Sequence, residues 1–459
     1  MPHGRLAWPT RSELREMLAL AAPVVVVQVG LQLMGFIDTL MVGRISADAL
    51  GGVALGNFYF YNIAIFGMGM LMALDPVVAQ AVGAGDHGAA RRGIQRGVLL
   101  ALGVSALVGV AFAGSGAAFQ LLRQPPEVVP LARDFVQLSI VGLPPFFVFI
   151  VLRQSLQAML SVRPVLLAML AGNLVNVAAN WVLIFGHLGA PAMGIAGSAW
   201  STAIARWVML ATLLRMGWPE LRPHLTGSWR AAAAFEPLWR TVRLGAPIGF
   251  QWFFEAGAFA MATLMFGWLG TVPLAGHEVA LSLASLTFMV PVGFSSAAAA
   301  LVGQAIGRRD MPSARRYAAG AWVLGVGFMA CSGIVMLLAP APIARWFTND
   351  PAVVAVAASL IMIAGVFQVF DGTQAVAGGL ARGTGDTKVP MLMHLCGFWG
   401  VGVPLAAVLG FRTRLGGVGI WWGLTTGLIV AAVLQAWRVQ RRLRLDIDRV
   451  VVERPADHR

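Results

Sequence analysis

Long apolar stretches alternate along this chain with short segments that contain Gly, Pro and Arg. An apolar stretch of about 18 residues or more can cross the hydrocarbon core of a bilayer as a helix. The pattern predicts an all-α polytopic membrane protein. We expect twelve transmembrane helices, at residues 14–42, 50–78, 93–119, 130–155, 164–186, 194–217, 240–268, 276–303, 317–341, 353–380, 389–410 and 417–440.

The second half of the chain repeats the first at one constant spacing. Leu20-Ala-Ala-Pro23 returns as Leu244-Gly-Ala-Pro247, and Gln80-Ala-Val-Gly83 returns as Gln304-Ala-Ile-Gly307. Paired repeats in a membrane protein usually frame a substrate path that opens alternately to each side. We predict two six-helix repeats: an N-terminal lobe at 14–217, a cytoplasmic linker at 218–239, a C-terminal lobe at 240–442 and a cytoplasmic tail at 443–459.

Composition supports the membrane class, because 58% of the residues are hydrophobic and 12% are charged, against about a quarter charged in soluble domains. The net charge of +13 does not predict nucleic-acid binding, since the arginines lie in short loops rather than on one patch with interleaved aromatics. Arginines are concentrated in alternate loops, and the positive-inside rule places those loops and both termini in the cytoplasm. An even number of helices satisfies that arrangement.

Carboxylates are few inside the predicted helices, and the candidates among them are Asp38, Asp75, Glu255, Glu278 and Asp371. An ionisable group at membrane depth costs several kcal/mol unless it faces a cavity or a partner, so each is a functional candidate. Asp75 and Glu278 lie near helix ends, where water is within reach, and we interpret them as interfacial. Asp38, Glu255 and Asp371 remain the candidate functional acids.

Four polar residues of the first half are predicted to meet at one level. Asn176 and Asn180 are spaced i, i+4 and therefore share one face of the helix at 164–186. Asp38 lies near the outer end of the first helix, and Thr202 lies about two turns into the sixth. The alternative is purely structural, because amides and hydroxyls also join neighbouring membrane helices.

Two acids of the second half are predicted to lie at the same depth. Glu255 is about 18 Å from Arg243, and Asp371 is about 16 Å from Arg382, at a rise of 1.5 Å per residue. Both acids therefore fall near the midplane of the membrane and could share one cation. The roles of Arg206, the mid-helix arginine of the sixth span, and of His394 stay open, with packing as the simpler interpretation for His394.

These motifs together resemble the multidrug and toxic compound extrusion (MATE) transporters of the NorM-like branch. The resemblance rests on Asp38 within Gly35-Phe-Ile-Asp-Thr-Leu-Met-Val-Gly43, on the Asn176 and Asn180 pair, on Glu255, and on Asp371 within Phe367-Gln-Val-Phe-Asp-Gly-Thr-Gln374. It extends from about Leu14 to Arg442. Each short motif is weak alone, and their combination is specific.

The resemblance implies a V-shaped, bilobed fold around a central cavity, and antiport of cationic drugs against H⁺ or Na⁺. It implies that Asp38, Asn176, Asn180 and Thr202 form a cation or proton site in the N-terminal lobe. It also implies that Glu255 and Asp371 bind a cation, with Na⁺ as the one candidate metal ion, in the C-terminal lobe. Some members have Tyr four residues before the second-lobe aspartate, where this chain has Phe367, so both coupling ions remain open.

The expected protein is a secondary active efflux transporter for organic cations and antibiotics. A lipid-linked oligosaccharide flippase of the wider superfamily is the alternative, although it would need a basic cavity and interior arginines are scarce. No nucleophile–base pair or metal-ligand cluster stands out, so we expect no enzyme activity, no catalytic residue and no cofactor. We expect a monomer that contacts membrane lipids in the bacterial inner membrane, with no nucleic-acid partner.

Overall fold

The computed structural model describes residues 8–122 and 124–453, so residues 454–459 of the predicted tail lie outside the described residues. Over these ranges the regular structure is entirely helical. Short helices at Ser115–Leu121, Trp218–Leu225 and Pro340–Arg345 lie between longer ones. The twelve long helical segments are α1 (Arg11–Val42), α2 (Asp48–Gly83), α3 (His87–Ala113), α4 (Val129–Ala158), α5 (Arg163–Phe185), α6 (Ile195–Met216), α7 (Phe235–Leu269), α8 (Thr271–Gly307), α9 (Met311–Leu338), α10 (Pro351–Gly383), α11 (Lys388–Phe411) and α12 (Gly417–Arg444).

The prediction of an all-α polytopic protein is confirmed, and every predicted span overlaps one of the long helices. The predicted span at 93–119 is divided, because α3 ends at Ala113 and a separate helix begins at Ser115. Among the described residues, eleven helices are long and apolar enough to cross a membrane, and α6 is not one of them. The count of twelve spans and the cytoplasmic position of the termini therefore stay predictions.

Four of the long helices described here are interrupted, and proline residues explain the interruptions of α2 and α4. α2 ends its first segment at Leu71 and resumes at Leu74, just before Pro76. α4 contains a 3₁₀ turn at Ser139–Gly142 ahead of two prolines. Proline lacks the N–H that would continue the helical ladder, so such breaks are expected near it. α9 and α11 contain π-helical segments at Trp322–Val326 and Leu395–Gly402.

The chain divides into two compact units whose borders cut through α1 and α7. Unit 1 comprises the described residues up to Val25 together with 79–85 and 250–451, and unit 2 comprises 26–78, 86–249 and 452–453. The borders in α1 and α7 lie at equivalent positions of the sequence repeat, shortly after Pro23 and Pro247. The segment before Val26 therefore packs with residues of the second half, while the predicted lobes at 14–217 and 240–442 remain a prediction.

In each unit, a glycine at a repeat-related position lets two helices pack closely against each other. In unit 2, a methyl group on Gly69 of α2 would lie 2.7 Å from Cα of Gly249 in α7. In unit 1, a methyl group on Gly293 of α8 would lie 2.3 Å from Cγ2 of Val25 in α1. Gly69 and Gly293 occupy equivalent positions of the sequence repeat. Glycine is required at both positions because it lets two membrane helices approach at backbone distance.

Candidate functional site

The first site lies in unit 2, where α1, α5 and α6 bring four polar side chains together. Oδ1 of Asp38 accepts hydrogen bonds from Nδ2 of Asn176 at 3.0 Å and from Nδ2 of Asn180 at 2.6 Å. Oδ2 of Asp38 accepts a hydrogen bond from the hydroxyl of Thr202 at 2.6 Å. All four side chains are buried. The four residues that we expected to meet at one level are in direct contact.

Local geometry explains how α5 and α6 present these donors. The connection between the helices turns at Gly186 and Gly194, which have φ angles of 77° and 55° that favour glycine. A methyl group on Gly197 of α6 would lie 2.6 Å from the carbonyl group of Leu183 in α5. The two helices therefore pack at backbone distance, and their polar side chains reach the same carboxylate.

The Asp38 carboxylate is held by neutral donors and keeps room for one more partner. Three hydrogen bonds occupy part of the roughly four acceptor positions of an ionised carboxylate. No hydrogen bond or ion pair to a basic side chain is found for Asp38 within the described ranges. A proton or a small cation can therefore complete the site, and its positive charge would be neutralised by the carboxylate.

Arg206 carries a positive charge that acts on this carboxylate. It lies one helical turn after Thr202 on α6, so both residues share a face. Its guanidinium carbon is 4.4 Å from the ring centroid of Phe60 and 4.8 Å from that of Phe146. Its charge acts on Asp38 through space, without a hydrogen bond between them. Arg206 is thus held by aromatic faces and belongs to the electrostatic surroundings of the first site.

The second site lies in unit 1 around Glu255 of α7. Oε1 of Glu255 accepts a hydrogen bond from Nε2 of Gln374 at 3.2 Å, and Oε2 lies 3.4 Å from Nε2 of His394. His394 is fully buried and also contacts the side-chain amides of Gln374 and Gln435. The structure therefore places His394, whose role the sequence left open, beside one of the two predicted cation-binding acids.

Asp371 lies close enough to Glu255 for their charges to interact. It is buried on α10, one turn before Gln374. Among the described residues its carboxylate accepts no hydrogen bond, unlike Asp38. Two neighbouring carboxylates repel each other, and one of this pair is buried without a hydrogen bond in the described structure. The pair therefore attracts a cation or a shared proton strongly.

Phe367, four residues before Asp371, is part of the apolar core. The ring of Phe367 is buried and lies 6.1 Å from that of Phe259 and 5.8 Å from that of Trp421, centroid to centroid. This position therefore offers no oxygen to an ion at Asp371. Na⁺ at Asp371 would therefore need its oxygen ligands from other positions.

The remaining acids predicted to be interfacial lie outside both clusters. Glu278 is exposed near the start of α8. Asp75 is half-buried at the interruption of α2, and its charge acts on Arg153 of α4. Sequence reasoning missed Gln251, Gln374 and Gln435, whose side-chain amides all contact the ring of His394. The available signal was spacing, because Gln251 lies one turn before Glu255 and Gln374 one turn after Asp371 on the same helices.

Comparison with known proteins finds similarity over most of the chain. The model of a family described as MatE matches residues 23–182 and again 247–408, so the two matches begin at the repeated prolines Pro23 and Pro247. A probable multidrug resistance protein NorM from Brucella suis is 38% identical over 419 residues, covering 88% of each chain. Multidrug resistance protein PmpM from Pseudomonas aeruginosa is 34% identical over 447 residues, covering 95% of this chain and 92% of PmpM.

Solved structures agree on the fold. The crystal structure of the eukaryotic MATE transporter AtDTX14 superimposes with a TM-score of 0.84 at 21% identity, covering 94% of this chain and 99% of that chain. An outward-facing multidrug resistance MATE family transporter superimposes with the same TM-score at 18% identity, covering 95% of this chain and 99% of the other. At these identities the likeness concerns the fold alone.

Proposed function

Because the chain belongs to the MatE family, we propose that it is a secondary active multidrug efflux transporter. It exports organic cations, including antibiotics, in exchange for H⁺ or Na⁺ by alternating access. The relatives that are multidrug resistance proteins support this function over the flippase alternative. The observation that carries the proposal is the buried Asp38 carboxylate, bonded only by neutral donors in the described part of the chain.

Exchange follows from competition for negative charge. An ionised Asp38 attracts a cation strongly because the surroundings screen charge less than water does. Binding of H⁺ or Na⁺ cancels that charge, and the site then no longer favours a cationic drug. Release of the ion on the other side restores the attraction. Asn176, Asn180 and Thr202 hold the carboxylate in one orientation through both steps, which keeps the cost of reorganisation low.

The acids of unit 1 extend the same principle. Glu255 and Asp371 lie close enough for their charges to repel, so a proton or Na⁺ that enters between them relieves that repulsion. Gln374 and His394 orient Glu255. We propose that this pair binds the second coupling cation. The proposed working form is a monomer in a bacterial inner membrane that needs no cofactor beyond its coupling ion.

Transport of a cationic dye by purified protein in proteoliposomes tests the proposal. A pH gradient without sodium and a sodium gradient without a pH difference are applied separately, and the wild-type chain moves dye under at least one. Asp38→Asn should abolish movement under both, because an amide cannot exchange a proton or balance a cation. Glu278→Gln, at an exposed acid of α8, is the matched control and should transport like wild type.

The acids of unit 1 are tested in the same assay. If they bind Na⁺, Asp371→Asn and Glu255→Gln remove the sodium-driven movement and leave any proton-driven movement in place. Transport at the wild-type rate by Asp38→Asn under either gradient would contradict the role given to the first site. Equal rates for all three variants and wild type would contradict the proposal as a whole.

A further inference from the structure

Two loops at repeat-related positions share one backbone course but differ in charge. The first loop is Gly83-Ala-Gly-Asp86, after α2, and the second loop is Gly307-Arg-Arg-Asp310, after α8. Both end in an aspartate that caps the next helix, with N-cap φ angles of −87° and −99°. The loops are therefore built alike while two neutral positions of the first are arginines in the second. Matching backbone hydrogen bonds run from Ala84 N–H to Gln80 O and from Arg308 N–H to Gln304 O, both at 3.0 Å.

Arg309 occupies a backbone conformation that favours glycine. Its φ is 59°, and the equivalent residue of the first loop, Gly85, has a φ of 69°. A side chain in the left-handed region costs free energy that glycine avoids. The first loop shows that glycine serves this turn, so backbone geometry does not explain an arginine there. A side chain retained at a strained position points to a use for the side chain itself.

The arginines line a pocket that is built within unit 1. The pocket has a volume of about 510 Å³ and is lined by Gly83, Ala84, Gly307, Arg308, Arg309 and Arg449. None of these lining residues is acidic. Its size falls within the roughly 300–1,000 Å³ that is usual for pockets binding small ligands.

The walls of the pocket are fixed by close backbone packing. A methyl group on Gly83 would lie 2.1 Å from the carbonyl oxygen of Gln304, and one on Gly307 would lie 2.1 Å from the carbonyl oxygen of Gln80. The two loops thus hold each other reciprocally. Gln80 also accepts a hydrogen bond of 2.6 Å from the backbone N–H of Val450, which fixes the tail next to Arg449.

We propose that this pocket binds a phosphate-bearing anion. Three arginines line this concave site, and arginine binds phosphate oxygens through paired charge-assisted hydrogen bonds. The guanidinium of Arg308 also donates a hydrogen bond of 3.2 Å to Oε1 of Gln304. The carboxylate of Asp310 interacts electrostatically with Arg308. The same carboxylate accepts a hydrogen bond of 3.0 Å from the backbone N–H of Ser313. The second loop follows α8, which is a candidate membrane span, so it lies within reach of both lipid headgroups and water. The phosphate therefore belongs either to an anionic phospholipid headgroup or to a soluble phosphate compound.

The double variant Arg308→Ala with Arg309→Gly tests the site, because it gives the second loop the residues of the first. Removal of the left-handed arginine relieves backbone strain, so the unliganded variant should melt at or above the wild-type temperature. Arg449→Gln, in the tail, is a second variant that leaves both loops unchanged. Arg222→Gln with Arg230→Gln removes the same charge at exposed positions outside the pocket and is the matched control.

Binding is measured on the full chain after removal of lipid, in two arms. Native mass spectrometry counts retained phosphatidylglycerol over a lipid titration, and a thermal-shift titration follows inorganic phosphate and pyrophosphate. Affinity at least about tenfold weaker in both pocket variants than in the control, in the lipid arm, assigns a headgroup site. The same loss in the phosphate arm alone assigns a soluble phosphate compound. Equal binding by the pocket variants and the control in both arms would overturn the proposal.

Discussion

The hydroxyl group of Thr202 donates a hydrogen bond of 2.6 Å to Oδ2 of Asp38, and the two residues are 164 positions apart in the chain. Because the other carboxylate oxygen is bonded to Asn176 and Asn180, Thr202 is the one donor that the described structure gives to Oδ2. The stability of the ionised carboxylate, and with it the affinity for a coupling proton, therefore depends on this hydroxyl.

Thr202→Val should strengthen binding of a coupling proton at Asp38. Valine has the shape of threonine without the donor, so the ionised carboxylate loses a stabilising bond worth about 1–3 kcal/mol. We expect the half-saturating concentration of H⁺ in the dye-transport assay to fall by about tenfold. Release of the ion becomes slower, and the maximal rate falls with it. Thr202→Ser keeps the hydroxyl and should behave like wild type; the same ion dependence in the valine and serine variants would contradict the role of this bond.

Arg206 should act on the first site in the same sense as the Thr202 hydroxyl. Its positive charge favours the ionised form of Asp38, so Arg206→Gln should also raise the affinity for the coupling ion. Arg206→Lys keeps the charge and should retain the wild-type ion dependence. Arg206→Gln also loses the cation–π contact with Phe60 and Phe146, which is worth about 0.5–2 kcal/mol. An unchanged ion dependence in Arg206→Gln, with lowered stability, would reduce Arg206 to a packing residue.

The contacts of the first cluster could be predicted from the sequence, because the depth of a residue in a membrane helix can be counted from the end of the helix. The i, i+4 spacing of Asn176 and Asn180 indicated one face, and counting from helix ends placed Asp38 and Thr202 at the same level. The contacts show that these positions meet. Their role in coupling stays a proposal, because contact geometry alone does not distinguish an ion site from a polar joint between helices.

The second cluster was harder to derive, since only two of its amides are spaced by one turn from its acids. His394 contacts Gln374 and Gln435 from α10 and α12, and nothing in the sequence connects Gln435 or His394 to the two acids. The π-helical segment that begins at Leu395 also changes the helical register directly after His394. The unit borders after Val25 and before Phe250 do not follow from the sequence repeat, because a repeat shows which segments correspond but not which segments pack together.

Gly69→Ala should destabilise the fold, while Gly103→Ala should not. A methyl group on Gly69 would lie 2.7 Å from Cα of Gly249 and 2.9 Å from the carbonyl oxygen of Ile248, so backbone must move. Overpacking of this kind costs about 1–3 kcal/mol. A methyl group on Gly103 of α3 meets nothing within 4 Å, and alanine there should add about 0.5–1 kcal/mol because it favours the helix. Thermal melting in detergent checks both, and equal shifts in the same direction would contradict the close approach of α2 and α7.

The tail should be held less firmly when Glu453, which pairs with Arg92 and Arg96, loses its charge. Burial of this carboxyl raises its pKa, but hydrogen bonds from Arg92 and Arg96 outweigh burial and hold the pKa of Glu453 below its ordinary value of 4.5. A carboxyl with a lowered pKa in the folded state adds stability above its unfolded pKa and loses it as the pH falls through the folded pKa. The contribution at pH 7 should stay below about 1 kcal/mol, because the side chain is 30% exposed.

Glu453→Gln should therefore speed hydrogen exchange at the tail amides near Val452 at pH 7 by about twofold to fivefold, after correction for intrinsic rates. The difference from wild type should shrink as the pH falls below 4.5, because wild-type Glu453 also becomes neutral. Asp448→Asn removes an equal charge from an exposed side chain of the same tail and should leave exchange near Val452 unchanged. A difference between Glu453→Gln and wild type that persists undiminished at low pH would mean that the shape of the glutamate, and not its charge, holds the tail.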